Sequence, residues 1–304
     1  MEKVLVLLSS YNGQKYIKEQ LDSIFSQKEV EVNCLVRDDG STDNTIDILE
    51  NYSLNQPNLK IVTGNNIGYK LSFLKLIEMS GDFDYYAFAD QDDVWEANKL
   101  IVATNKIKTR KSDVSKAIMY CSNCKLVDNE LNFIGMLHSK ESLLPKSKIE
   151  ALAQGFAHGC TIVFNSEAKK IITRYKPKKE YAHDFWLPLI ILFTGVVIYD
   201  PNSYILYRQH NENVFGTRKS LLKIFNIKLK QFNVNANFHS NMILEILEGY
   251  GDLITSQDCE ILKEITYYKN SIYYKLKALL NQQLKRETFK GTVFLKILIL
   301  LSKF

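Results

Sequence analysis

A bilayer-spanning run is the first thing this 304-residue sequence lacks. Its long apolar stretches, Trp186 to Tyr199 and Phe289 to Leu301, fall short of the ~20 residues that a transmembrane helix needs. Pro188 and Gly195 also interrupt the first stretch, which reads better as a buried helix turning into a strand over Val196 to Tyr199. No secretory leader is expected: Met1-Glu2-Lys3 passes directly into the strand-like Val4 to Leu8, without an apolar core or a small-residue cleavage site. A disulfide framework is missing too. The five cysteines (Cys34, Cys121, Cys124, Cys160, Cys259) are odd in number and scattered. Cys121 and Cys124 form a lone CxxC with no second ligand pair nearby, so buried or idle thiols are expected rather than zinc or redox chemistry. These absences together suggest a reduced, cytoplasmic protein. Finally, no GxGxxG follows the first apolar run and no GxxxxGK[ST] occurs anywhere, which argues against a dinucleotide fingerprint and a P-loop.

What is present suits a globular chain of one large domain or two small ones, with 46% apolar and 24% charged residues. The net charge of +5 is uneven: residues 217–304 carry 14 Lys/Arg against 7 Asp/Glu, which leaves the first 216 slightly acidic. That shift marks a division into residues 1–216 and a basic, amphipathic helical region, 217–304.

The chain is organised around Tyr85-Tyr86-Ala87-Phe88-Ala89-Asp90-Gln91-Asp92-Asp93-Val94-Trp95. An apolar, aromatic run of this kind reads as a buried strand, and it ends in three acids that no strand interior tolerates. Clustered acids at a strand's carboxyl end suit a ligand site in an open α/β sheet, and paired carboxylates suit Mg²⁺ or Mn²⁺. An acidic turn capping the next helix is the alternative. Upstream, Val4 to Leu8, Val32 to Val36 and Leu59 to Thr63 read as further buried strands. Each is followed by a polar loop and a helical apolar period. Three repeats of strand, loop and helix imply βαβ crossovers and a parallel sheet, with every loop at the strand carboxyl ends. The acids of the second loop, Asp38-Asp39, suit a base or a ribose hydroxyl, or else form a solvated turn. Further strands are expected at Ala117 to Tyr120, Cys160 to Phe164, Val196 to Tyr199 and Ser203 to Tyr207, with loops and short helices over 128–158. Asp184, in Ala182-His183-Asp184-Phe185-Trp186, falls at the start of the buried helix, where an acid is either a cap or a working group.

Six motifs in order carry a resemblance: Leu7-Leu8-Ser9-Ser10-Tyr11-Asn12-Gly13, Arg37-Asp38-Asp39-Gly40-Ser41-Thr42-Asp43, Asn66-Ile67-Gly68, Ala89 to Trp95, His183-Asp184-Phe185-Trp186 and Tyr207-Arg208-Gln209-His210-Asn211. Over about residues 4–216 the chain resembles the family 2 glycosyltransferases, in particular the rhamnosyltransferase-like branch that builds bacterial surface polysaccharides. The resemblance implies an α/β GT-A fold and inverting transfer from a dTDP- or UDP-sugar, with rhamnose as the first expectation. It places Ser9, Tyr11, Asn12 and Asp39 at the nucleotide, with Asp38 supporting. Asp90 and Asp92 match the DxD element on Mn²⁺ or Mg²⁺, His210 falls where a late histidine reaches the metal or phosphates, and Asp184 matches the catalytic base. His158, His183 and Trp186 are candidate sugar contacts, with core packing the alternative for His183 and Trp186. Phe185 departs from the tryptophan more usual in this branch.

In the C-terminal region, lysines alternate with apolar residues, as in Leu276, Leu279 and Leu280 among Lys275 and Lys277. Such helices lie on anionic lipid, pack on the catalytic domain or form a homodimer. A lipid-linked saccharide acceptor would suit a peripheral position on the inner face of the membrane. No nucleic-acid module is present. A sugar-phosphate nucleotidyltransferase is the rival enzyme, although Ser9 to Gly13 lacks its glycine-rich, lysine-containing loop. A non-catalytic nucleotide- or carbohydrate-binding scaffold is the rival without chemistry.

Overall fold

The computed structural model describes residues 1–110, 116–138, 145–209 and 237–304. The chain forms two compact units. One comprises Met1–Leu143, Ala157–Tyr175 and Glu180–Gln209; the other comprises Leu144–Phe156, Lys176–Lys179 and His210–Phe304. The expected division at residue 216 lies outside the described residues, as does His210.

The first unit opens with β1 (Glu2–Ser10), α1 (Ile17–Phe25), β2 (Val30–Asp38), α2 (Thr45–Ser53), β3 (Leu59–Thr63), α3 (Tyr69–Met79) and β4 (Tyr85–Ala89). These four strands pair in parallel in the order β3-β2-β1-β4. Both faces are covered, which is why the strands read as unbroken apolar runs instead of alternating ones. On one face Val4, Val6 and Leu8 belong to the same buried cluster as Ile17, Leu21 and Ile24 of α1. Burying each such side chain contributes about 1.5–3 kcal/mol.

The sheet then changes character. After β5 (Val94–Trp95) and α4 (Lys99–Thr109) come β6 (Ile118–Val127) and β7 (Phe133–Met136). Later come β8 (Val163–Asn165), α6 (Ser166–Thr173), α7 (His183–Thr194) and β9 (Val196–Arg208). β8 lies antiparallel between β4 and β6, β9 runs parallel to β6, and β5 closes the order antiparallel to β9. Three expectations are corrected here. The strand expected over Cys160 to Phe164 forms instead at Val163–Asn165, because Gly159–Thr161 is a 3₁₀ turn. The strand expected to stop at Tyr120 continues to Val127. Asn123 permits this: its Oδ1 accepts from the Cys124 and His138 N–H groups (2.9 and 3.1 Å), substituting a side-chain amide for lost ladder bonds. The two strands expected around Asp200 to Asn202 are one, carried through an irregularity where Asp200 accepts from the Asn202 N–H at 3.0 Å. The cysteines are free thiols, and Cys121 and Cys124 are buried within β6.

The second unit is helical: Phe238–Tyr250, Ser256–Thr266, Ile272–Leu280 and Phe289–Leu300, together with the short α5 (Lys148–Ala153) from earlier in the chain. Lys148 ties α5 to Asp258 at 2.7 Å, and Arg286 Nε donates to the Ala153 carbonyl at 3.0 Å. No helix among the described residues is long and apolar enough to cross a membrane.

Candidate active site

The loops after β1, β2 and β4 emerge at one end of the parallel strands. The Gln91 side chain clamps the first of them: its Oε1 accepts from the Tyr11 N–H (2.8 Å) and its Nε2 donates to the Tyr11 carbonyl (3.0 Å). Gly13 makes room for this, since a Cβ there would meet Gln91 Oε1 at 2.4 Å. Asn12 takes a positive φ of 51°, and its Oδ1 accepts from the Thr42 N–H at 2.9 Å. Ser9 Oγ pairs with Ser72 Oγ at 2.7 Å. Tyr11 and Asn12 are exposed at this end.

Both acids of the second loop are enclosed. Asp38 Oδ1 accepts from the Ser41 N–H (2.8 Å), and its Oδ2 accepts from Ser10 Oγ (2.9 Å) and Ser41 Oγ (2.6 Å). Asp39 pairs with the buried Arg37 at 2.5 Å and accepts from the Ile67 and Gly68 N–H groups, both at 2.8 Å. Gly68 adopts φ +80°, a conformation that an L side chain rarely takes. Asp39 thereby ties the loop after β2 to the loop after β3. It is 2% exposed, so the solvated-turn alternative does not hold.

The acids after β4 meet the opposite environment. The Asp90 carboxyl is pushed up to about 7, first by burial and then by the charges of Asp92 and Asp184. The Asp184 carboxyl, in the first turn of α7, is pushed up to about 6 by burial, opposed in part by the Lys70 ammonium. Tyr69 lies in the field of Asp184 and Asp90 together. Asp93 is buried and raised well above the carboxylate range by burial and by Asp92 and Asp90; its Oδ2 has no hydrogen-bond partner. Residues ninety positions apart thus deliver their carboxyls to one electrostatic cluster.

Among the described residues, Asp90, Asp93 and Cys160 offer ligand atoms within 4.8 Å of one another. The Cys160 thiol is held protonated by its hydrogen bond with Cys124 and by burial, which makes it a poor ligand for a hard cation. The carboxylates are the donors that fit one.

The sequence reading missed the brace behind this loop. Arg208, at the end of β9, donates from Nε to the Asp92 carbonyl at 2.9 Å and from its N–H to Asp93 Oδ1 at 3.2 Å. It also reaches the Asn129 carbonyl at 2.5 Å and pairs with Glu19. Its place in the Tyr207 to Asn211 motif was the available signal. Gln91 stood inside the Ala89 to Trp95 motif in the same way, whereas Lys70 lay outside every motif.

Two expected sugar contacts are corrected. His183 is 4% exposed, stacks on Phe73 with centroids 3.9 Å apart, and has hydrogen-bond partners on neither ring nitrogen. Burial lowers its pKa to about 3, so it packs the core as a neutral ring. Trp186 is 1% exposed and stacks on Tyr181 at 5.0 Å. Both point inward because α7 is apolar nearly all round. His158 is placed differently. It is half-buried, 3.1 Å from His138 between Nε2 atoms, with its ring 6.4 Å from that of Tyr207. Burial and His138 lower its pKa to about 4.

A mostly parallel βαβ start, a mixed second half and acids at the strand ends define a GT-A glycosyltransferase. The likeness to solved structures agrees: Staphylococcus aureus TarS, residues 1–349, matches with a TM-score of 0.58 at 17% identity, covering 99% of this chain and 81% of that one. A Pyrobaculum calidifontis mannosyltransferase in complex with GDP-Man and Mn²⁺ matches at 0.54 and 14% identity, covering 99% of this chain and 80% of that one. In sequence, residues 5–172 match glycosyl transferase family 2, and the chain belongs to that family. The dTDP-rhamnosyl transferase RfbG of Shigella flexneri is 30% identical over 247 residues, which is 76% of this chain and 79% of that protein.

Proposed function

We propose that this glycosyltransferase moves a sugar, with rhamnose as the first expectation, from a dTDP- or UDP-sugar to a lipid-linked saccharide acceptor with inversion. The observation that carries the reading is the convergence of Asp184 and Asp92 on Asp90. A departing nucleoside diphosphate is a poor leaving group until its charge is offset, and a bound Mn²⁺ or Mg²⁺ would supply that offset. Asp90 and Asp92 would hold the ion, and the crowding of like charge around Asp90 is the imbalance that a divalent cation relieves. Asp184 would take the proton of the acceptor hydroxyl. With its pKa at about 6 it is ionised at neutral pH yet more basic than an ordinary carboxylate. A single base facing the leaving group suits one displacement and therefore inversion. Ser9, Tyr11 and Asn12, with Asp39 and Asp38 shaping the loops, would receive the nucleotide, and His158 would face the acceptor. The relationship to a dTDP-rhamnosyl transferase supports the donor class.

Isothermal titration of UDP and dTDP, with and without Mn²⁺, tests the reading. Binding of one nucleotide that depends on the ion is expected, and ion-independent or absent binding of both would leave only a scaffold. Thermal protection across a panel of nucleotide sugars then selects the donor.

A further inference from the structure

The second unit carries an outward apolar face that the transferase site does not use. In the helix Phe289–Leu300, Leu295, Leu298 and Ile299 are buried, while Phe289 (83% exposed), Val293 and Ile297 face solvent. The helix Ile272–Leu280 likewise exposes Ile272 (72%), Leu276 and Leu280 (78%). A helix apolar on both faces is ordinarily buried on both.

The two helices lie side by side and antiparallel. Lys275, early in the first, reaches the Leu300 carbonyl (3.3 Å) and Ser302 Oγ (2.7 Å); Lys296, late in the second, reaches the carbonyls of Ala278 (3.0 Å) and Asn281 (2.8 Å). These lysines mark the direction of the neighbouring helix. At roughly 100° per residue, the exposed triplet centres about 100° from Lys275 in the first helix and about 60° from Lys296 in the second, in the same rotational sense. In an antiparallel pair, rotations of the same sense place both stripes on one side. The result is a continuous apolar strip two helices wide.

Charge selects the occupant. Ile272–Leu280 and Phe289–Leu300 contain no Asp or Glu; Lys277 pairs with Glu264, Lys275 and Lys296 cap carbonyls between the two helices, and Lys290 stands exposed beside the strip. A second copy offering the same face would bring a second Lys290 toward the first with no acid on either helix to meet it, whereas an anionic bilayer satisfies both the apolar strip and Lys290. We infer that this two-helix face docks flat on an anionic lipid surface, with Phe289 and Leu280 entering the headgroup boundary.

Flotation of the full chain tests this with two vesicle types, phosphatidylcholine alone and phosphatidylcholine with phosphatidylglycerol in equal parts. Flotation with the mixed vesicles only, weakening as salt rises, is expected. The double variant Phe289→Asp/Leu280→Asp should lose at least tenfold in partitioning. Lys290→Ser should lose about fivefold, the equivalent of about 1 kcal/mol per cation near the surface. Both variants should keep the wild-type circular-dichroism melt and nucleotide binding, so a failure here is separable from a failure of the transferase reading. If the wild type does not float with mixed vesicles, or the double variant floats equally well, the inference is overturned. A wild-type dimer that the double variant dissolves, with neither protein floating, would assign the face to a second copy instead.

Discussion

Two pairs of aspartates stand at the ends of neighbouring strands and live in opposite worlds. Asp38 and Asp39, at the carboxyl end of β2, are enclosed by hydroxyls, backbone N–H groups and the Arg37 guanidinium. After β4, Asp92 and Asp184 crowd Asp90, and the charges that shift Asp90 are all negative. Buried acids with satisfied oxygens hold architecture together, while half-buried acids pressed against like charge are held ready for a cation. Residue type is the same in both places, so only surroundings separate scaffold from chemistry.

The contrast can be broken most sharply at the second pair. Asp92→Ala should lower sugar transfer by about a thousandfold and abolish ion-dependent nucleotide binding, as electrostatic stabilisation of a leaving group is worth 10²–10³ or more; retained ion-dependent titration heat would remove Asp92 from the metal. Asp184→Asn should leave nucleotide binding intact and cut kcat by about 10²–10⁴, the range of general-base catalysis. With wild-type protein, kcat should climb as pH rises through about 6, where the Asp184 carboxyl ionises, and the variant should show no such limb.

The first pair predicts the reverse readout. Asp39→Ala leaves Arg37 buried without its partner, so unfolding by urea should show a loss of about 3 kcal/mol, because breaking a buried pair costs 3–5. A stability near wild type would mean the ion pair is not the tie between the loops. The smallest effect concerns ion-free protein. Asp90 and Asp184 have folded pKa values raised from 3.8 to about 7 and about 6. Raised carboxyls favour the folded state below the unfolded pKa, and that advantage is lost as pH rises through the folded one. Melting temperature without metal should therefore fall between pH 4 and 7, Mn²⁺ at pH 8 should restore it, and Asp90→Asn should flatten the slope.

The legible part of the fold was its parallel start. β3 and β4 match the expected strands residue for residue, since strands buried on both faces are continuous apolar runs. The mixed half was harder to read. Ser122 and Asn123 look like a strand end, yet side-chain hydrogen bonds carry β6 through them. Pro201 and Asn202 look like a turn, yet β9 continues. In the site, the acids announced themselves by clustering. Core packing was one of two readings for His183 and Trp186, and local sequence could not choose it for His183, whose aromatic neighbours Phe73 and Phe88 lie on α3 and β4. Arg208 braces a loop more than a hundred residues earlier, a relation that no local pattern encodes.

By itself the sequence determined which strands are buried, where polar loops interrupt them, and that acids gather after Ala89. Those are consequences of local composition and period. Only the tertiary structure decided which acids are satisfied and which are strained, because a carboxyl's ionisation depends on the distance to charges and donors that folding alone brings near.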